Sequence, residues 1–363
     1  MKKSSSRLAL LIVISFSLTN VYAQRDLHSE IDLLVQNTFA DDMPGAAIIV
    51  VKDGETLYRG AKGLANVELG VPLEPDMVFR LGSITKQFTS SSIMLLEERG
   101  KLKLDDTIDK YLPEYPAEIA SKITIEHLLT HTSGIVTYTG IPGYMFSDKI
   151  RRELSTNELV DVFKDLQPVS APGEKWNYNN SGYVLLGAII ENVSASSYED
   201  FVQENIFDKL GMENSHYGSH TRIIPNRVAG YEILGSNVSN ARFLSMTQPH
   251  AAGSLLSTVD DLAIWDQALF SGKVVSPESF QKMTTAGVLN DGERHSYGYG
   301  LMISEVNGRK IVAHGGGIFG FATSGIHIVD ENLFVAVFSN GATRERNPGA
   351  VAQQIIRLVL GDQ

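Results

Sequence analysis

The strand-like stretches of this chain lie at its two ends, with a long strand-poor middle between them, and that separation limits the folds open to it. Near the N-terminal end, Ala46 to Val51 and Thr56 to Ala61 flank Lys52-Asp53-Gly54-Glu55. Asp-Gly between two apolar runs supplies the positive φ angles that a two-residue hairpin turn needs. Near the C-terminal end, Tyr297 to Ile303, Lys310 to His314, Phe321 to Val329 and Leu333 to Ser339 have strand character, and Asp330-Glu331-Asn332 reads as a turn. From Ser83 to about Ala268 helical segments and Gly/Pro/Asn-containing loops dominate. Unpaired strand edges are costly, so the economical solution is one antiparallel sheet built from both ends. The expected fold class is therefore α+β: a sheet-containing lobe from residues 24–82 and 290–363, flanked by helices, with a mainly helical lobe, 83–289, inserted between its halves. Leu27, Ile31, Leu34 and Val35 fall at helical spacing before the first strand. After the last strand, Asn347 reads as an N-cap with Pro348 at the first helical position, opening a helix that carries Val351, Ile355, Ile356 and Val359. A cleft is expected where the lobes meet.

The first residues stand apart from the fold. Lys2, Lys3 and Arg7 precede an apolar run from Leu8 to Leu18, and Val21-Tyr22-Ala23 follows. This is the pattern of a signal peptide cut after Ala23, which predicts a periplasmic or secreted protein without a stable membrane anchor. The chain has no cysteine, which excludes both disulfides and a thiol nucleophile. The formal net charge is −11, and the leader holds three of the 31 basic residues and none of the 42 acidic ones. Such a chain repels phosphate backbones, and nucleic acid is not an expected partner. With 363 residues and 43% hydrophobic content it can bury a large core.

Chemistry is suggested first by Ser83-Ile84-Thr85-Lys86. Gly82 ends an extended approach, and the run with Ile84, Phe88, Leu95 and Leu96 reads as a helix that stops at Gly100. Ser83 and Lys86, three apart, share a face of that helix, and Ser83 sits at its N-terminus, where free N–H groups and the positive dipole end favour developing negative charge. The spacing alone is not specific, because Ser279-Phe280-Gln281-Lys282 matches it as well. Two further stretches add to it. Pro172 to Tyr183 is a turn-rich loop ahead of an apolar helix and carries Tyr178-Asn179-Asn180, and His314-Gly315-Gly316-Gly317 closes a strand. Loops ahead of helices present reactive side chains, and glycines after a strand admit the close approach of another backbone or a substrate. A His-Gly-Gly-Gly run also forms the oxyanion loop of lipase-type hydrolases, but the Gly-x-Ser-x-Gly elbow that accompanies it is missing here.

Together, Ser83-x-x-Lys86, Tyr178-x-Asn180 and His314-Gly315-Gly316, in this order, resemble the serine β-lactamase and penicillin-binding superfamily. The resemblance is to its class C-like branch, with D-alanyl-D-alanine carboxypeptidases, D-aminopeptidases and related esterases. It runs over roughly residues 30 to 360 and includes Ile123 to Gly134 and Ala252 to Leu262. It implies a β-lactamase/transpeptidase-like fold and an acyl-serine hydrolase acting on D-amino-acid peptides or small esters. Two alternatives stand beside that: a β-lactamase, or a covalent penicillin-binding or sensor module without efficient turnover. The class A pattern has Ser-Asp-Asn and Lys-Thr-Gly as its second and third motifs. Here Tyr178 replaces the serine and His314-Gly315 replaces Lys-Thr, removing a cation and a hydroxyl that would hold a substrate carboxylate.

In that scheme Ser83 is the nucleophile and Lys86 its base, neutral if burial lowers its pKa. Tyr178 shares the proton, either taking it as phenolate or passing it to the leaving group. Asn180 holds Lys86 and a substrate amide, His314 polarises Tyr178 or meets the substrate's polar end, and Gly316 belongs to the substrate-binding strand. By resemblance, the oxyanion donors are the backbone N–H groups of Ser83 and Gly317. The expected partner is a small-molecule or peptide substrate, and no metal or organic cofactor is implied. His127 and His131, four apart, read as a structural pair because the glutamate and third ligand of a zinc site are absent. Trp265 reads as packing, Trp176 as packing near the cleft, and Tyr144, Phe146 and the segment between Gly140 and Lys149 as a cleft wall.

Overall fold

The computed structural model describes residues 27–235 and 237–362. The leader and the cleavage point after Ala23 lie outside the described residues. Asp53 and Gly54 both take positive φ, 53° and 82°, and close Ala46–Lys52 (β1) onto Glu55–Lys62 (β2) as an antiparallel hairpin. The other four strands of the main sheet are Met302–Val306 (β3), Arg309–Ile318 (β4), Phe321–Ile328 (β5) and Leu333–Ser339 (β6). The sheet order is β3-β4-β5-β6-β1-β2, every neighbouring pair antiparallel. The first strand thus pairs with the last, Ala46 opposite Ser339 and Lys52 opposite Leu333.

Strand β1 reads as an unbroken apolar run because both its faces are covered. Ile48 and Val50 pack with Ile31 and Val35 of the helix at 27–38 (α1) and with Val351 and Ile355 near the C-terminus. Ala47, Ile49 and Val51 point the other way, into the large core shared with the helical lobe. The elements that matter to the site are Thr85–Glu98 (α2), Asn180–Ser194 (α3) and Val259–Phe270 (α4), and the last helix is Pro348–Leu360 (α5). The Asn347 side chain caps α5, accepting from Gly349 and Ala350 amides, with Pro348 at its first position.

Several boundaries differ from expectation. Tyr297 forms only an isolated bridge with Met302, and β3 begins at Met302, because Gly300 takes a φ of 70° and turns the chain. Strand β4 does not end at His314: its glycines stay paired to β5 as far as Ile318 opposite Phe321. Helix α4, which the sequence division places in the helical lobe, packs on the sheet against β1 and β6. Phe79–Arg80, His216–Tyr217 and Leu255–Ser257 also form a small three-stranded sheet that sequence periodicity did not show. Gly82–Ile84 is a 3-10 turn leading into α2, so Ser83 stands just before the α-helix and Gly100, with φ 66°, follows its end.

Helix α2 is buried on nearly all sides, Thr85 to Ser92 included. Its hydroxyls have partners: Thr89 on Tyr198 (2.7 Å), Ser90 on Tyr183 (3.1 Å) and Ser92 on the Phe88 carbonyl (2.8 Å). Small hydroxyl side chains let neighbouring helices come close without leaving polar atoms unsatisfied. Ile48, fully buried at the centre of the sheet, provides a test of the terminal core. Ile48→Ala is expected to lower stability by about 2–5 kcal/mol in urea unfolding, with the slope unchanged.

Candidate active site

The segment before α2 is pressed onto strand β4. A Cβ on Gly316 would sit 1.8 Å from the Leu81 carbonyl oxygen, and one on Gly82, whose φ is 55°, would sit 2.9 Å from the Gly317 nitrogen. The Thr323 hydroxyl donates to the same Leu81 carbonyl at 2.7 Å. Only glycine permits this approach, which sets the Gly317 backbone beside Gly82 and Ser83. Gly316, expected to meet the substrate, has a steric role against Leu81 and is not among the residues that line the cleft. Gly317 does line the cleft, together with Ser83.

Lys86 is fully buried. Its Nζ lies 3.1 Å from Ser83 Oγ, 2.8 Å from Asn180 Oδ1 and 2.7 Å from the Ala252 carbonyl oxygen. Burial pushes its pKa well below the ordinary lysine value. Among the described residues no carboxylate pairs with it. A neutral amine has two N–H bonds and one lone pair. The Asn180 and Ala252 oxygens can only accept, so they take both N–H bonds, and the lone pair is left facing the Ser83 hydroxyl. Asn180 opens α3, its amide nitrogen donating to the Thr139 hydroxyl at 3.0 Å and the neighbouring Asn179 side chain capping the helix. The carboxamide orientation is thereby set from both ends.

Tyr178 packs beside Lys86, whose Nζ lies 4.8 Å from its ring centroid. Burial raises its pKa, and an interaction with the Ser83 hydroxyl only partly offsets this. The phenol is neutral at rest. Beneath it lies an aromatic layer. His131 packs 4.3 Å from the Tyr178 ring, 5.0 Å from Tyr183 and 4.5 Å from Tyr297, centroid to centroid. Its Nδ1 accepts the Asn179 amide at 3.1 Å, so the proton is on Nε2, which is buried without a hydrogen-bond partner. Burial, with the Lys86 charge next, holds this ring well below the usual histidine range.

His314 has partners the sequence did not show. Its Nδ1 lies 2.6 Å from the Gly315 carbonyl, which can only accept, so Nδ1 carries the proton and Nε2 accepts from the Tyr297 hydroxyl at 2.9 Å. Both ring nitrogens are engaged, while the ring itself lies against Tyr178, 6.2 Å between centroids. Burial first, then the Lys86 charge, lowers its pKa to about 3. The ring thus orders Tyr297 and packs beside Tyr178. Tyr297, the Ala252 carbonyl and Thr139 had no role in the sequence reading. The Ala252 stretch was visible as a flank of the resemblance, but nothing in the residue type marks a backbone carbonyl as a lysine acceptor.

The cleft in front of Ser83 measures about 540 Å³. Tyr138, Met145, Ile318 and Phe319 contribute to its walls, and the lining residues include one carboxylate, Glu232, and no lysine or arginine. Of the expected wall, Met145 faces the cleft, Tyr144 is buried on Gln248 and Phe146 is 82% exposed. Trp176 packs near His131 and His295 rather than in the cleft, and Trp265 is buried, stacked on Phe88 at 4.1 Å. The second Ser-x-x-Lys differs throughout: Ser279 bonds Glu98, and Lys282 pairs with Glu97 and Glu278. His127 Nδ1 accepts the Thr124 amide in a capping box, and no group of metal-ligating side chains occurs among the described residues.

The family description "Beta-lactamase" matches residues 31–359. A penicillin-binding protein of Bacillus subtilis (strain 168) is 32% identical over 81% of this chain and 67% of its own length. A D-aminopeptidase of Gluconobacter oxydans (strain 621H) is 29% identical over 88% of this chain and 59% of its own. The chain therefore spans between about three-fifths and two-thirds of these curated relatives. The crystal structure of a D-stereospecific amidohydrolase from Streptomyces sp. superposes with a TM-score of 0.76 at 26% identity, covering 91% of this chain and 97% of that one.

Gly316→Ala is expected to destabilise the fold by about 1–3 kcal/mol in chemical denaturation, because the Leu81 carbonyl must move. Gly315→Ala, whose Cβ would meet nothing nearer than the Thr323 oxygen at 3.4 Å, should be tolerated. The buried histidines add a pH dependence. The folded values of His314 and His250, about 3 and about 4, lie below the ordinary 6.5. Between those values the unfolded chain binds protons that the folded one refuses, so stability is complete above pH 6.5 and falls as pH drops toward 3. Urea midpoints measured across that range should decline.

Proposed function

The chain belongs to the beta-lactamase family, and on that premise we propose that it is a serine hydrolase that opens an amide or ester bond through an acyl-Ser83 intermediate. The observation that carries the reading is the hydrogen-bond set of Lys86: two fixed acceptors and a lone pair facing the serine. A buried, neutral amine is a competent base at neutral pH.

Lys86 takes the Ser83 proton as Oγ attacks the carbonyl carbon. The negative charge that forms on the carbonyl oxygen meets the backbone N–H groups of Ser83 and Gly317. When the intermediate collapses, the scissile C–N or C–O bond breaks, and the leaving group receives the proton from Lys86 by way of Tyr178. A phenol held neutral by burial suits relay and donation, not the part of a resting phenolate. Water then attacks the acyl carbon as its proton passes to Lys86, and Lys86 returns that proton to Ser83 Oγ as the ester bond breaks and the acid leaves. Asn180 and Ala252 hold Lys86 in line throughout.

The substrate class we propose is a D-amino-acid amide or peptide, or a small ester. The Gluconobacter D-aminopeptidase and the Streptomyces D-stereospecific amidohydrolase support the amide reading by likeness. A cleft whose lining holds no lysine or arginine, and whose one carboxylate, Glu232, is paired with Arg242, suits a neutral substrate better than one presenting a carboxylate. The same feature weighs against efficient β-lactam hydrolysis, since His314 stands uncharged where the class A pattern has lysine. Export, from the leader with its cut after Ala23, belongs to the same proposal.

The test is release of p-nitroaniline from D-amino-acid p-nitroanilides and of p-nitrophenolate from short esters. Ser83→Ala should abolish both. Equal release by wild type and Ser83→Ala would sink the proposal. Lys86→Ala and Tyr178→Phe should each lower kcat/KM by about 10²–10⁴-fold. In the wild type, kcat/KM should rise with pH as Lys86 loses its proton, with the limb well below the ordinary lysine value of 10.5. A limb at the ordinary value would show a charged resting lysine and overturn its assignment as base.

A further inference from the structure

Behind the Phe321 wall of the cleft lies a second cavity of about 390 Å³ whose lining includes Arg80, Arg227, Arg242 and His220 but no aspartate or glutamate. In a chain with formal net charge −11, three guanidinium groups around one hollow without a lining carboxylate call for a physical reason. We propose that this pocket binds a small oxyanion, a carboxylate or a phosphate group, held by Arg80 and Arg227.

Arg80 is the centre of the argument. It ends the short strand Phe79–Arg80, three residues before Ser83, and is only partly exposed. Among the described residues it has no hydrogen-bond or carboxylate partner, and its guanidinium meets only the Phe321 ring, 5.5 Å from the centroid. Burying a guanidinium without an acceptor is costly, and ordinary structural arginines are paired. The like charge of Arg227 adds to the cost: burial first and Arg227 second lower the Arg80 pKa to about 10. Arg227 commits one N–H to the Ser219 carbonyl at 2.6 Å, out of the five a guanidinium carries.

The acids close by are already engaged. Glu232 pairs with Arg242 at 3.2 Å, and Glu68 accepts from Tyr231 and, at 2.7 Å, from Asn240, a lining residue. Arg242 is thus compensated and Arg80 and Arg227 are not. Planar guanidinium forks match the oxygen spacing of carboxylate and phosphate, and a bound oxyanion would relieve both the desolvation of Arg80 and its repulsion from Arg227. The cavity shares Phe321 with the catalytic cleft. Gly320 of the cleft packs against Gly230 and Ala241 of the pocket, so that a Cβ on Gly320 would lie 2.5 Å from that of Ala241. The two hollows are back to back, and the binding proposed here does not depend on the hydrolase reading.

Isothermal titration of the full chain with inorganic phosphate, and separately with succinate, at constant ionic strength tests this, and the two titrants separate a phosphate ligand from a carboxylate one. Expected is saturable one-to-one binding of at least one of them by wild type and by Ser83→Ala. Arg80→Gln and Arg227→Gln should each weaken it about tenfold or more, as the loss of a charge-assisted hydrogen bond does. Should Arg80→Gln fail to fold, Arg227→Gln decides, since that side chain is exposed. No saturable heat with either anion, affinity unchanged in the arginine variants, or binding lost in Ser83→Ala would each overturn the proposal.

Discussion

The desolvation of one amine organises this molecule. A lysine in a fully buried position is tolerable only as the neutral base or with its charge compensated, and Lys86 meets two carbonyl-type oxygens and a serine but no carboxylate. Those partners come from three separate parts of the chain: the start of α2, the first residue of α3 and the Ala252 carbonyl ahead of the Leu255–Ser257 strand. Each is held by its own neighbours, Asn180 through Thr139 and the Ser83 turn through Leu81, Thr323 and the glycines of β4. Placing one neutral nitrogen thus requires the lobes to be in register.

Around that amine the protein keeps other charge away. Tyr178, Tyr183, Tyr297, His131 and His314 surround it, and burial holds every one of them in its uncharged form at neutral pH. Two of these tautomers follow from backbone contacts: an amide donating to His131 Nδ1 and a carbonyl accepting from His314 Nδ1. The layer under the proposed nucleophile is therefore aromatic and polar without being ionic, so the field at Lys86 changes little as the surrounding pH varies through the neutral range.

Much of this was legible in the sequence and some was not, for definite reasons. The Asp53-Gly54 hairpin, the Asn347-Pro348 helix start and the Leu333–Ser339 strand are local signals, and local chemistry decided them. Ser83, Lys86, Tyr178 and Asn180 come together because motif residues sit at the ends of elements whose packing the apolar pattern encodes. What stayed hidden depends on partners far along the chain. That the glycine at 316 meets the Leu81 carbonyl is a matter of a strand meeting a turn 235 positions earlier in the chain. The Tyr297 hydroxyl from which His314 accepts was hidden too, because the Tyr297 segment reads as a strand. Arg80 reads as an ordinary strand residue until the cavity beside it is seen.

The pairing of β1 with β6, Ala46 beside Ser339, bears on how the protein comes into being. Contacts so distant along the chain require nearly the whole polypeptide to be ordered before they return any free energy, which makes folding slow and leaves the sheet the last part to close. Strand β4 pairs with its neighbours in sequence, β3 and β5, but its contact with the Leu81 and Gly82 turn is nearly as distant along the chain as that of β1 with β6. On the proposed mechanism, the nucleophile meets its oxyanion donors only once that distant contact has formed, and a partly made chain can hold helices and a lysine without it.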